Sequence, residues 1–230
     1  MLSTVLSLIA LTGTVQKPID FQLGWKKGDK FTYYVSTGNS QRSMVDSSVE
    51  LSVTGEDEKG FTVSTSRIEF TETRGFPMRP IPAGTMTFSQ RGKLTSASGS
   101  TAQGGSAGVY FMFVALPEKA VSVGDEFQVS MQLDGVKAEF SGKFVSLEGP
   151  KKNLAKFEFS GQFTDADGNK APITLKTTFD TDRKIYVSHS ASWHGGGIVH
   201  SFKLKEPAEQ GWTICNVIRI TRTEVLSAAW

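Results

Sequence analysis

The chain has 230 residues, of which 38% are hydrophobic, 10% aromatic and 21% charged. This composition is that of a globular protein with a sizeable core, and it excludes an intrinsically disordered chain. The 25 basic and 23 acidic residues give a net charge of +2 without any extended run of Lys or Arg, so a nucleic-acid-binding protein is also excluded. The single cysteine, Cys215, excludes an internal disulfide and a thiolate metal cage.

Residues 1–16 form an uncharged segment whose apolar centre runs from Leu2 to Leu11. That centre has the length of a signal-peptide core and is shorter than the roughly 20 residues of a membrane span. We therefore predict an export signal cleaved between Gly13 and Lys17, and a periplasmic or extracellular mature chain without a membrane span. A buried N-terminal strand or helix is the alternative, because no Lys or Arg precedes the apolar run.

From residue 21 onward, apolar and polar residues alternate in many short runs, which is the pattern of half-buried strands. The runs cover 30–37, 48–54, 60–71, 126–133, 136–147, 153–163, 173–179, 183–193, 198–204 and 212–221. Short turns rich in Gly, Asp and Asn join them. Because parallel strands need long crossovers and are buried on both faces, this arrangement predicts an antiparallel all-β fold.

Three stretches lack this alternation. Residues 75–82 carry three prolines, which favours a loop or an edge strand. Residues 95–108 are a tract of Ser, Gly and Thr with almost no apolar content. The apolar run at 109–117 ends at a proline and is compatible with a core strand or a buried helix; we predict a short helix of two or three turns.

Two sequence echoes predict an internal repeat. The pair Gly28-Asp29 recurs as Gly124-Asp125, and residues 88–94 recur as 179–185, at offsets of 96 and 91 residues. Each Gly-Asp pair lies just before an alternating run. The echoes predict two similar curved halves, residues 17–117 and 118–230, packed as one globular unit, although Gly-Asp is also a common turn pair by chance.

Four motifs follow one another along the chain. They are a Gly-Asp turn leading into a strand at 28–31, F-x-x-x-G-K-L at 88–94, A-L-P-x-K-x-V-x-V-G-D-x-F at 115–127 and F-D-x-x-x-K-I at 179–185. In this order the chain resembles a group of exported bacterial β proteins and lipoproteins. More remotely, it is similar to the clam-like carriers of lipids and lipoproteins in the bacterial envelope. The resemblance implies two curved β halves and an envelope location. It implies no catalytic residue, and the lipoprotein cysteine is absent.

Two motifs invite a serine-esterase interpretation. Residues 104–108 match G-x-S-x-G around Ser106, and residues 194–197 match H-G-G-G. A nucleophile elbow requires a strand before the serine and a helix after it, whereas Ser106 follows a Ser/Gly tract. The H-G-G-G motif also follows the serine instead of preceding it. We therefore predict flexible loops at both places and no enzyme activity.

The segment Asp165-Ala166-Asp167-Gly168-Asn169 spaces its oxygen ligands as a calcium loop does. The glycine that such a loop needs next is Lys170, and no bidentate Glu follows at the required spacing. An Asp-Gly hairpin explains the segment without a metal. We predict no metal and no cofactor.

Two of the three histidines, His189 and His200, fall on the apolar side of neighbouring runs. If the glycines at 195–197 join these runs as a hairpin, His189 lies opposite Phe202 and His200 lies opposite Ala191. The two rings would then be diagonal neighbours within reach of one ligand. Core histidines bonded to the backbone are the more common case, and a zinc site would need a third ligand.

These observations predict a non-enzymatic envelope protein that binds an apolar or lipid-like ligand between its two β halves. The residues predicted to line that site are Tyr33, Phe140, Phe157, His189 and His200. The alternative is a structural or protein-interaction module with a filled core and an envelope protein as partner. The two differ in whether the inward aromatic side chains leave space for a ligand.

Overall fold

The computed structural model describes residues 17–39, 45–67, 83–99, 114–133, 135–164, 167–193 and 198–205. Several predicted features lie outside these residues. They are the export signal, the proline-rich segment 75–82, both esterase-like motifs, Cys215 and the alternating run 212–221.

The strands of the described residues form one antiparallel sheet. In chain order they are β1 (Lys30–Asn39), β2 (Val45–Asp57), β3 (Gly60–Thr65), β4 (Gly84–Ser89), β5 (Leu94–Gly99), β6 (Glu126–Leu133), β7 (Val136–Glu148), β8 (Leu154–Thr164), β9 (Lys170–Asp180), β10 (Ile185–Trp193) and β11 (Ile198–Leu204). Their order across the sheet is β5-β4-β3-β2-β1-β11-β10-β9-β8-β7-β6. The end strands β5 and β6 approach each other, so the sheet curls into a nearly closed barrel. The predicted antiparallel all-β fold is confirmed.

The sheet contains two runs of five strands in the same spatial order, β5 to β1 and β10 to β6, with β11 between β1 and β10. The same turn leads into each run. Gly28 and Gly124 have φ angles of 99° and 97°, and each donates a backbone hydrogen bond to a strand of its own run, at Val53 and Phe144. These φ values favour glycine, which explains its presence at both positions.

The aspartate that follows each glycine also has the same role in both turns. Asp29 accepts a hydrogen bond from the Lys26 amide, and Asp125 accepts one from the Ser122 amide, both at 2.8 Å. The adjacent strands β1 and β6 begin one residue later. The two Gly-Asp turns therefore have the same local geometry. That they occupy equivalent places in two repeated halves stays a prediction.

The structure differs from the sequence predictions at three places along the chain: the predicted helix at 109–117, strand β4, which lies in none of the predicted runs, and strand β5. Of the predicted helix at 109–117, residues 109–113 lie outside the described part, and residues 114–117 are buried but irregular. Their backbone groups bond to other segments: the Leu116 amide donates to the Arg91 carbonyl. The tract of Ser, Gly and Thr also contains β5, which we did not predict. Its small side chains give little stabilisation by themselves, and pairing with β4 supplies the rest.

The core lies on the concave face of the sheet, called here the inner face. Alternate residues of each strand project onto it, and an irregular N-terminal segment, residues 17–27, crosses it. That segment alternates too: Phe21, Leu23 and Trp25 are buried, whereas Asp20 and Gln22 are exposed. Both the sheet and this segment therefore build the interior.

Candidate functional site

The five residues predicted to line a ligand site lie on five different strands. Tyr33 is on β1, Phe140 on β7, Phe157 on β8, His189 on β10 and His200 on β11. The first four are buried, with at most 3% of the residue surface exposed. For His200 the structure describes only the backbone, which pairs with Ala191 and Thr37.

The predicted hairpin register between β10 and β11 is confirmed. His189 lies opposite Phe202, and Ala191 lies opposite His200. The pairing continues across the sheet, because His189 also lies opposite Thr177 on β9, which in turn lies opposite Phe157 on β8. Directly paired residues of antiparallel strands share a face. His189 and Phe157 therefore belong to one cross-strand row of the inner face, separated by Thr177.

Thr177 is a polar neighbour of His189 in this row. Its Nδ1 is hydrogen-bonded to the Thr177 hydroxyl at 2.9 Å, and both residues are buried. Burial lowers the pKa of His189 to about 3, because the charged imidazolium loses its hydration. At neutral pH the inner face therefore carries a neutral imidazole and a hydroxyl among apolar side chains.

Tyr33 does not project a free hydroxyl into the interior. Its Oη donates a hydrogen bond to the Tyr186 carbonyl at 3.1 Å. The Tyr186 hydroxyl in turn donates to the Val114 carbonyl at 2.6 Å, and burial raises the pKa of Tyr186. These bonds join β1, β10 and the irregular segment that precedes β6.

Tyr186 is a central residue that the sequence did not reveal. The strict alternation of the run 183–193 places Ile185 and His189 on one face and Tyr186 on the other. A β-bulge at Val187 interrupts the pairing of β10 with β9, so that Tyr186 lies opposite Phe179 on the inner face. A bulge changes which residues share a face, and nothing in the run itself marks its position.

Phe157 contacts aromatic rings of the second run of strands and one ring from the N-terminal segment. The Phe21 ring packs edge-on against Phe144, Phe157 and Phe179, with centroid distances of 5.2, 5.0 and 5.9 Å. We call these three phenylalanines the second box. The space in front of Phe157 is thus occupied by a side chain of the same protein.

A corresponding cluster exists in the first run of strands. Trp25 contacts Phe31, Phe61 and Phe88, with centroid distances of 5.6, 5.7 and 5.7 Å. We call these three phenylalanines the first box. The same segment, residues 17–27, therefore supplies one aromatic side chain to each box.

The predicted repeat relates two of the three phenylalanines of each box. At the offsets of the two echoes, Phe61 corresponds to Phe157 and Phe88 corresponds to Phe179. The residue corresponding to Trp25 is Val121, which is much smaller. The second run has no large aromatic of its own at this position, and Phe21 takes that place.

Arg91, in the turn between β4 and β5, holds the N-terminal segment against the end of the sheet. Its Nη1 donates to the carbonyls of Phe21 and Pro117, at 2.9 and 2.8 Å, and its Nη2 forms an ion pair with Asp20 at 2.8 Å. One guanidinium therefore fastens both irregular segments to the turn between β4 and β5.

The described residues also bear on the Asp-Gly segment, on metal-ligand groups and on membrane-spanning helices. Asp167 and Gly168 lie between the antiparallel partners β8 and β9, and Gly168 has a φ of 86°, which confirms the predicted hairpin. No group of three His, Cys, Asp or Glu residues within the described ranges could hold a metal ion. Among these residues there is also no helix long and apolar enough to cross a membrane.

Comparison with known proteins gives one remote likeness. No family model and no curated protein matches the chain. A solved structure of a LolA superfamily protein from Nitrosomonas europaea resembles it with a TM-score of 0.28 and 9% sequence identity, over 77% of this chain and 83% of that one. A likeness this low carries no inference about function.

Proposed function

We propose that this chain is an exported, non-enzymatic binding protein that takes an apolar ligand on its inner face. Of the predicted ligand-lining residues, Phe157 is covered by Phe21, so we assign the contact to the other end of the same cross-strand row, at Thr177 and His189. Tyr33 and the backbone of His200 lie on the strands next to that end.

The observation that carries this proposal is the Thr177–His189 pair. Binding sites for small apolar molecules are mostly hydrophobic, with a few polar groups that fix the orientation of the ligand. Leu175 and Ala191 lie one step along β9 and β10 from this pair, on the same face, and both are buried. A neutral imidazole at this place suits an uncharged polar end, such as a hydroxyl, an ester or a protonated carboxyl group.

A filled-core interaction module is the second candidate, and the boxes favour it. Each box of three phenylalanines already holds an aromatic side chain of the N-terminal segment. If the whole interior is packed to this degree, no space remains for a ligand. The two candidates therefore differ in one measurable property, the saturable uptake of an apolar molecule.

Titration with an environment-sensitive fluorescent fatty acid tests the proposal. The wild-type protein is expected to bind it saturably. Thr177→Val should weaken binding severalfold, because it removes the hydroxyl that orients His189 and keeps the shape of the side chain. Thr174→Val is the matched control, since Thr174 lies three residues earlier in β9 and on the opposite face.

No saturable binding by the folded wild-type protein would reject the proposal and leave the filled-core module. Equal binding by the wild type and both threonine variants would place the ligand elsewhere. Circular dichroism of each variant verifies that the sheet is intact, so that loss of binding is not mistaken for unfolding.

A further inference from the structure

The outer face of β7 to β11 carries an open trough with a volume of about 430 Å³. The trough crosses the strands above the backbone of Phe157, Thr177 and His189, on the opposite side of the sheet from the proposed ligand. With strands about 4.8 Å apart, it extends roughly 19 Å from β7 to β11. Its shape suits an elongated ligand.

Hydroxyl and charged groups line this outer trough. One row of paired residues contains Lys156, Thr178, Ser188 and Lys203, in consecutive strands from β8 to β11. The small side chains of Ser188, and of Ser190 in the next row, leave the space that forms the trough. A purely apolar ligand would displace water from these hydroxyls and offer them no hydrogen bond in return, which disfavours such a ligand.

The charges of the trough are partly neutralised. Lys176 forms an ion pair with Glu158 at 2.9 Å, and Lys156 lies 3.6 Å from Glu148. Among the described residues, no carboxylate lies within ion-pair distance of the exposed Lys203. Within the described part of the chain, Lys203 therefore remains an uncompensated cation near the β11 end of the trough.

An exposed aromatic ring continues the trough beyond that cation. Tyr34 on β1 lies opposite Lys203, and 41% of its surface is exposed. Lys205 lies over the Tyr34 ring, with its Nζ 5.4 Å from the centroid, so a second cation is present at this end. One β-bulge lies at Val145, which lines the trough, and another lies at Val187, next to the lining residue Ser188. Such irregularities are frequent next to binding sites.

We propose that the outer trough binds a carboxylated oligosaccharide lying across the strands. The hydroxyls of Ser188 and Ser190 and the Lys176–Glu158 pair exchange hydrogen bonds with sugar hydroxyls. Lys203 pairs with a sugar carboxylate, and Tyr34 offers its ring to the next sugar. This site is separate from the inner face, so it does not depend on the apolar ligand.

Isothermal titration of the full protein with tetragalacturonic acid tests this site. Saturable binding is expected, with maltotetraose, which has no carboxylate, binding at least about tenfold more weakly. Lys203→Gln should reduce the affinity for tetragalacturonic acid about tenfold, as expected for one charge-assisted contact. Lys59→Gln, in the exposed turn between β2 and β3, removes the same charge elsewhere and should leave the affinity unchanged.

Ser190→Leu gives a second test, and it does not alter the charge of the trough. The larger side chain should block the trough and abolish binding. Four results would overturn the proposal: no binding of tetragalacturonic acid, equal losses in Lys203→Gln and Lys59→Gln, unchanged binding in Ser190→Leu, or equal binding of inorganic phosphate. Lys203→Gln should leave fatty-acid binding unchanged, which separates this result from that of the fatty-acid titration.

Discussion

The ring of Phe21 packs edge-on against the ring of Phe157, with 5.0 Å between their centroids, although the two residues belong to different halves of the chain. This contact links the irregular N-terminal segment to the second run of strands. In the predicted repeat, the position that corresponds to Trp25 holds only Val121, so Phe21 completes a cluster that the second run cannot complete by itself. The two runs of strands are therefore joined by their core as well as by β11.

Replacement of Phe21 by alanine should be strongly destabilising. The side chain is 1% exposed and contacts three rings, so its removal leaves a cavity in the second box. We expect a loss of about 3–5 kcal/mol in the free energy of unfolding, measured with urea. Gln22→Ala, at the exposed neighbouring position, should change it by less than about 0.5 kcal/mol. Similar losses in both variants would contradict the role assigned to Phe21.

Arg91→Lys tests whether the guanidinium holds the N-terminal segment against the sheet. A lysine keeps the charge, but its ammonium group cannot reproduce the guanidinium fork that reaches Asp20, Phe21 and Pro117 together. We expect a loss of about 1–3 kcal/mol in stability and faster proteolysis within residues 17–27. Lys93→Arg, at an exposed site in the same turn, is the control. Unchanged proteolysis in Arg91→Lys would show that the guanidinium does not hold the segment.

Gly28→Ala and Gly124→Ala should destabilise the protein by similar amounts. At both positions a Cβ atom would meet nothing within 4 Å, so the cost is the backbone strain of a positive φ alone. That strain is worth about 1–2 kcal/mol. Asparagine tolerates this conformation better, so Gly→Asn at either position should cost less. A difference of more than about 1 kcal/mol between the two alanine variants, measured in urea, would contradict the equivalence of the turns.

The buried His189 predicts how stability depends on pH. Its pKa falls from 6.5 to about 3 on folding, so between these values the unfolded chain binds one proton more than the folded protein. The free energy of unfolding should therefore decrease as the pH falls below about 6.5, by about 1.4 kcal/mol per pH unit from this residue. Urea denaturation at several pH values between these limits measures the slope.

His189→Gln isolates this contribution, because glutamine does not titrate and still has a polar amide for the Thr177 hydroxyl. The carboxylates contribute equally to both proteins, so the difference between the two slopes belongs to His189. Parallel slopes for the wild type and His189→Gln would show that the imidazole gains a proton within the folded state.

Much of the sheet was predictable because strand alternation and turn chemistry are local properties. The strand bounds of β6 and β11, the register of His189 with Phe202 and the two Gly-Asp turns all follow from patterns within a few residues. Strand β5 was not predictable, since its Ser and Thr side chains become ordered through pairing with β4.

The candidate site was less predictable, because it depends on contacts between distant segments. The sequence placed Phe157 and His189 on apolar faces but could not show that Phe21 covers Phe157. It also could not reveal the inward position of Tyr186, which follows from the bulge at Val187. The alternation of Phe21, Leu23 and Trp25 was the one local signal that this irregular segment is buried.

The central claim is that the inner face holds an apolar ligand at the Thr177 and His189 end of the row. The most direct measurement is mass spectrometry of the native protein and of its organic extract, after purification from its own host. We predict a stoichiometric lipid or other apolar molecule on the wild-type protein, and less of it on Thr177→Val than on Thr174→Val. A wild-type protein that is folded and free of any such molecule, and that takes up none from the fluorescent fatty acid, would contradict the claim.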